Sequence, residues 1–330
     1  MLKELKFVQG AVAKKDFMPA MTHFAITVDD KGGFVRAYNG VLALGSPLAF
    51  DIPCTPKASQ LVPAIANAPG TITLSMTDAK RLRVAGEKGY RKFVDCVEET
   101  GAHAEPEGER VDFDGQIVLN VLKKVEPFIG NDASRAWSNG VLLSGSSAYA
   151  TNNVTLIQCW LTNGERPVTL PFVVNLPRAA VLEMLRLNEA PTHAQMTTNS
   201  MTFHYSGRRW LRTQLLETKW PDMDRIFGDH TPARAKPLDP ALFDALERLE
   251  SSGDKMGRVF VEGDRVFTKD DQQVERGSMD VPGLGMHGIY QISMLKLLQG
   301  TATHADLGTY PAPCIFYGDM LRGAIIGMRP

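Results

Sequence analysis

Residues 283–288 read Gly-Leu-Gly-Met-His-Gly, the spacing G-x-G-x-x-G whose glycines let a backbone approach a dinucleotide pyrophosphate. A nucleotide-dependent enzyme built on Gly283 to Gly288 is therefore the first chemistry to weigh. The motif follows Val281-Pro282 and precedes a predicted helix, but it stands late in the chain, not in an opening strand-helix-strand unit. A loop running into a helix accounts for its glycines. The seven histidines contain no H-E-x-x-H or comparable ligand spacing. His193 and His304 instead occupy equivalent places in a repeat, which fits a structural role. Asp222 and Asp224 near Asp229 offer carboxylates for a cation but no further ligands beside them. Ser144, Ser146 and Ser147 lack the G-x-S-x-G elbow of a nucleophile. No catalytic residue, metal site or cofactor is expected, and the chain reads as a non-enzyme.

Binding is the alternative to chemistry, and the helices carry cations suited to it. Lys3, Lys6, Lys14 and Lys15 stand against Glu4 near the start, and Lys123, Lys124, Arg178 and Arg186 against Glu126 and Glu183 further on. Such cations can hold phosphates without reading bases. Across the whole chain 36 Lys and Arg meet 37 Asp and Glu, a net charge of −1, which excludes nucleic-acid binding by the entire surface. DNA contact must come from a local patch. Cys54, Cys96, Cys159 and Cys314 are far apart in sequence and form no C-x-x-C pair, as expected of ordinary thiols in a reducing cytoplasm. No apolar run approaches the ~20 residues that cross a bilayer, and no signal peptide is apparent, so a cytoplasmic protein with no membrane partner is expected.

The elements that must position these residues are written three times. Hairpin-like stretches begin at Phe34, Ser147 and Arg265, each with a polar centre: Asn39-Gly40, Asn152-Asn153 and Asp270-Asp271. Amphipathic helices follow from Lys57, Arg178 and Gln291, with Leu61, Leu182 and Leu295 at one equivalent position on the predicted apolar face. Strands return at Gly70, Thr192 and Thr303, and each copy ends on a turn and a final strand. A further helix opens each copy, the third capped by Asp239 with Pro240 at its first position and acidic on its polar face. Linkers rich in Gly, Pro and charge put the boundaries at 1–107, 108–230 and 231–330. Two helices on an antiparallel sheet make an α+β domain. Three in tandem form an arc, and an arc with self-complementary ends closes when two chains meet about a two-fold axis.

Five stretches then carry a family likeness along the whole chain: FMPAMTHFAITV, RAWSNGVLLSGSSAYATNN, VNLPRAAVLEML, LLETKWPDMDRIF and the terminal IIGMRP, with Trp220-Pro221-Asp222 and Arg225 the strongest match. They resemble the bacterial DNA polymerase III beta subunit, the DNA sliding clamp family. The shorter chain and near-zero charge fit a phage or plasmid member. The resemblance implies three tandem clamp domains dimerised head to tail into a ring, and a processivity factor that encircles duplex DNA. Implied partners are double-stranded DNA, DNA polymerase, the clamp loader, other clamp-binding-motif proteins and a second copy of the chain. A clamp-fold decoy that binds polymerase or loader without encircling DNA is the alternative. Lys15 and Arg178 match the family's DNA-facing positions, alongside Lys14, Lys123, Lys124 and Arg186. The implied peptide-binding pocket comprises Ser138, Thr151, Val154, Thr155, Leu156, Pro221, Arg225, Ile226, Ile326, Gly327, Met328, Arg329 and Pro330. Here Asn153-Val154-Thr155 replaces the family's Gly-His-Arg, Gly327 replaces a proline, and the usual leucine near Ser138 is missing.

Overall fold

The computed structural model describes residues 1–15, 18–98, 104–164, 166–228 and 232–329, with Asp224 described by its backbone alone. Among these residues are seven α-helices: α1 (Leu2–Val8), α2 (Ala58–Ala66), α3 (Gly115–Val125), α4 (Arg178–Leu187), α5 (Met223–Phe227), α6 (Pro240–Leu249) and α7 (Ile292–Lys296). Their apolar residues recur at three- and four-residue steps, which puts one stripe in the core. In α3 that stripe is Val118, Leu119, Val121, Leu122 and Val125, all buried, while Lys123 points to solvent. Asp239 caps α6 as expected, its carboxylate accepting from the Ala241 amide at 2.8 Å. In α4 the buried stripe is Ala180, Val181 and Met184, and Leu182 is 43% exposed. The expected alignment with Leu61 and Leu295 is thus out of phase: Leu182 follows Val181 by one helical step of ~100° and leaves the core face.

The chain forms two compact units, Met1–Leu119 with Ala179–Leu215, and Asn120–Arg178 with Leu216–Pro330. In the first, an antiparallel sheet has the order Ala25–Asp29, Gly32–Tyr38, Leu42–Leu48, Arg209–Gln214, Ser200–Tyr205, His193–Met196, Glu109–Val111. A smaller sheet runs Thr73–Met76, Leu82–Ala85, Arg91–Val94. In the second unit, the main sheet has the order Val174–Pro177, Gly140–Ser144, Ser147–Thr151, Thr155–Trp160, Leu321–Ile325, Cys314–Gly318, His304–Asp306, Lys236–Pro237. A four-stranded sheet there runs Glu275–Asp280, Arg265–Lys269, Arg258–Gly263, Met286–Gln291.

These orders follow one rule. The second strand of each copy's hairpin pairs with the closing strand of the following copy: Leu44 opposes Leu211, and Leu156 opposes Ala324. The first repeat lies wholly in one unit and the third in the other, while the middle repeat finishes one sheet and begins the next. Small residues make these junctions possible. A side chain at Gly45 would overlap the Trp210 ring, and one at Gly323 would overlap Phe316. The rule leaves two strands at sheet ends. Glu275–Asp280, the second hairpin strand of the third copy, and Arg91–Val94, the closing strand of the first, each end their sheets among the described residues.

His193 and His204 oppose each other across neighbouring strands, with rings stacked 4.5 Å apart. Burial first, then the charges of His193 and Arg110, push His204 down to about 4. The unfolded chain binds this proton near pH 6.5, before the folded one does, so stability falls as pH drops from ~6.5 toward 4 and levels off below. With the ring only half-buried, the loss is about 1 kcal/mol. His204→Gln flattens that limb in urea melts taken between pH 4 and 7; an unchanged slope would assign the acid sensitivity elsewhere.

Candidate functional site

An apolar groove of about 530 Å³ opens in the second unit. One side comes from the hairpin at residues 151–156. Its turn is set by Asn152, whose side-chain oxygen accepts from the Val154 and Thr155 amides at 3.0 and 2.7 Å. Asn153 sits at φ +70°, a left-handed conformation that Asn tolerates better than most residues. Thr151 closes the turn, its hydroxyl donating to the Thr155 carbonyl at 2.7 Å.

The opposite side is α5 and the segment before it. The Asp222 carboxylate accepts from the Arg225 amide at 3.3 Å, starting a short helix that presents Met223 and Ile226. Beneath the groove, Leu156, Phe227, Ile315 and Ala324 form a buried cluster against which Trp220, Met223, Ile226 and Tyr317 pack. The Arg322 guanidinium covers the Phe227 ring at 4.1 Å and is oriented by Gln158 at 2.7 Å. Trp137, on the groove wall, meets Trp220 edge to face at 5.0 Å.

The lining is mostly hydrocarbon, with two cations on it. Arg135 donates to the Asn153 side-chain oxygen at 3.0 Å, and Arg225 lies exposed on α5. No Asp or Glu lines it among the described residues. A cleft of this shape and lining can accept an extended apolar segment.

Of the pocket expected from sequence, Thr151, Val154, Thr155, Leu156, Pro221, Arg225, Ile226 and Ile326 come together. Ser138 does not line the groove: it is fully buried and donates to the Arg135 carbonyl at 2.9 Å. Gly327, Met328 and Arg329 are also absent from the lining. The Met328 amide donates to Ile289 at 2.7 Å and its carbonyl accepts from the Tyr310 hydroxyl at 2.8 Å, which draws the chain end along a different strand. Pro330 lies outside the described residues. Arg135, Trp137, Asn153, Met223, Gly228, Pro313 and Ala324 line the groove and were not anticipated. Arg135, Trp137, Asn153 and Met223 lie within stretches already singled out, whereas Gly228, Pro313 and Ala324 carried no such signal.

The basic residues divide into two kinds. Lys14, Lys15 and Lys123 are exposed. Lys124 instead bonds the Asp319 carboxylate and carbonyl at 3.1 Å, and Arg178 lies 4.0 Å from Glu126. Arg186 grips Glu183 through two nitrogens at 2.8 and 2.5 Å, which raises its pKa, and donates to the Phe7 carbonyl at 3.0 Å. Its charge is bound into the fold.

Residues 283–288 enter the strand Met286–Gln291, not a helix as expected. The amides of Gly283 and Gly285 donate to the Asp264 carboxylate at 3.0 and 2.9 Å, holding that carboxyl below its usual range. An internal carboxylate thus takes the donors a pyrophosphate needs. Asp229 and the Asp224 side chain lie outside the described residues, and no group of three or more metal-ligating side chains occurs among the described ones. No helix there is long and apolar enough to cross a membrane.

No family model matches the chain, and no curated protein matches it in sequence. Solved structures do. The DNA polymerase sliding clamp of Caulobacter crescentus superimposes with a TM-score of 0.83 at 16% identity, covering 100% of this chain and 97% of that one. The sliding clamp of Pseudomonas aeruginosa, DNA polymerase III subunit beta bound to griselimycin, gives 0.79 at 17%, and that of Bacillus subtilis 0.79 at 10%, both with the same coverage. The chain therefore has the α+β fold of the bacterial sliding clamp along its full length.

Proposed function

We propose that this chain is a sliding clamp: a non-catalytic processivity factor that closes with a second copy into a ring around duplex DNA and tethers a polymerase by a peptide held in the groove. The two unfilled sheet edges carry the reading. Within the chain each hairpin is completed by the next copy's closing strand, and the pattern breaks only at Glu275–Asp280 and Arg91–Val94. Head-to-tail pairing of these edges between two chains completes the rule at both junctions of a two-fold dimer, and it covers strands that would otherwise invite aggregation. The edges differ in charge: Arg91 and Lys92 on one, and Glu275, Arg276 and Asp280, net −1, on the other, where Glu275 already pairs with Arg265 and Arg276 with Asp270. The full-length likeness to bacterial clamps supports the same assembly. Three tandem domains at 1–107, 108–230 and 231–330 are the units this ring would count.

Double-stranded DNA, a polymerase, a clamp loader and other proteins bearing a clamp-binding motif are the partners proposed. Lys14, Lys15 and Lys123 are the cations best placed for weak phosphate contact that permits sliding. Arg178, Lys124 and Arg186 each already hold a carboxylate, so their contribution is smaller. The groove is proposed for apolar peptides, and griselimycin, present in the Pseudomonas aeruginosa clamp structure, is a probe of it.

Primer extension on singly primed circular DNA, with the cognate polymerase and loader, tests the reading. Adding the protein should lengthen products at unchanged turnover per nucleotide, and linearising the template should remove the effect. Polymerase binding without longer products would instead identify a decoy that never encircles DNA.

A further inference from the structure

Cys54 and Cys96, remote in sequence, are brought together in the first unit by a short antiparallel bridge. Pro56 and Cys96 are bridge partners, flanked by the Lys57 amide donating to Asp95 at 2.8 Å and the Val97 amide donating to Thr55 at 3.2 Å. In this register Cys54 lies one diagonal step from Cys96 on the same face, where long side chains can touch. The two thiols lie near enough to shift one another, Cys54 upward and Cys96 downward, while the Cys96 thiol donates to the Val94 carbonyl at 3.8 Å. Both backbones are anchored. Cys54 exchanges main-chain bonds with Ile26 at 3.1 and 2.9 Å, and the Gln60 side chain brackets Asp95 with bonds of 2.9 and 2.8 Å. Both cysteines are half-exposed, while Cys159 and Cys314 are buried.

The geometry points to Cys54 and Cys96 as a dithiol that a low-molecular-weight disulfide such as oxidised glutathione converts into an intrachain disulfide. Cys96 is the attacking group. Cys54 beside it lowers its pKa and favours the thiolate, whereas burial pushes Cys159 up to about 11. The Cys96 thiolate attacks one sulfur of the small disulfide, forming a mixed disulfide and expelling one glutathione thiolate. Cys54, raised beside Cys96, loses its proton to the expelled thiolate and attacks the Cys96 sulfur. The second glutathione thiolate leaves and is protonated from solvent. Overall two protein thiols are oxidised to one disulfide, and one small disulfide is reduced to two thiols. Closing the bond to ~2.05 Å needs a small adjustment of the 54–57 segment, which is tied by isolated bridges and not by a full ladder.

The test treats full-length protein with oxidised glutathione at pH 7.5, blocks remaining thiols with iodoacetamide and maps tryptic peptides without reduction. The expected product is a peptide pair joined through Cys54 and Cys96, with Cys159 and Cys314 alkylated only after unfolding. Dithiothreitol should reverse the link, and the oxidised form should melt about 5 °C higher. Cys54→Ser should trap glutathione on Cys96, while Cys96→Ser should leave Cys54 almost unmodified. Glutathione trapped on either wild-type cysteine with no joined pair, or equal labelling of the two serine variants, would overturn the assignment.

Discussion

Replacing Lys92 by Glu together with Phe93 by Asp should leave a folded protein that sediments at the single-chain mass of 36.2 kDa, where the proposed dimer of the unaltered protein should sediment at about twice that value. The strand Arg91–Val94 ends its sheet with Arg91, Lys92 and Phe93 exposed, Phe93 to 47%. Because these side chains are exposed, the changes cost the isolated chain within about 0.5 kcal/mol each. In the proposed dimer they face an edge that carries Glu275, Arg276 and Asp280, net −1, so two carboxylates replace a cation and an apolar contact. Loss of apolar burial at Phe93 and the new like-charge repulsion together weaken association at least ~100-fold, about 2.7 kcal/mol. Processive extension should disappear with the dimer. A variant that remains dimeric at micromolar concentration would place the interface elsewhere and remove the main support for ring closure.

Groove substitutions give the second large effect. Ile226→Asp with Ile326→Asp should reduce affinity for an apolar peptide from the cognate polymerase by at least ~30-fold, about 2 kcal/mol. Both isoleucines line the groove; Ile226 is half-buried against the cluster below, while Ile326 is exposed to 47%, so Ile326→Asp alone should leave the melting temperature nearly unchanged. Covering such a side chain contributes about 1.5 to 3 kcal/mol, and a carboxylate there loses that gain and is itself desolvated. Met328→Asp is the control. Its backbone is tied to Ile289 and Tyr310 and its side chain is not in the lining, so fluorescence anisotropy should report affinity within threefold of the unaltered protein. Equal losses from the control and the double variant would return the chain end to the pocket wall, as the sequence alone implied.

The contrast between Ile326 and Met328 shows where reading by sequence stops. Local periodicity and turn chemistry decided the elements: the hairpins around Asn39-Gly40, Asn152-Asn153 and Asp270-Asp271, the Asp239 cap, and the threefold recurrence all stand in the structure. These depend on interactions within a few residues, so each short stretch contains its own instruction. Half-buried strands and amphipathic helices in that order also define an α+β chain.

Tertiary structure decided what depends on distant partners. The phase of α4 follows from packing Ala180, Val181 and Met184 inward, and a one-step rotation put Leu182 in solvent. Whether a cation is available depends on remote partners: the Asp319 carboxylate for Lys124 and the Phe7 carbonyl for Arg186. Asp264 occupies the glycine amides from about twenty residues away in sequence. The pairing of each hairpin with the following copy, and hence the two edges left over, is a long-range register that no local pattern encodes. Cys54 and Cys96 meet for the same reason, since backbone hydrogen bonds between remote segments place both thiols on one face.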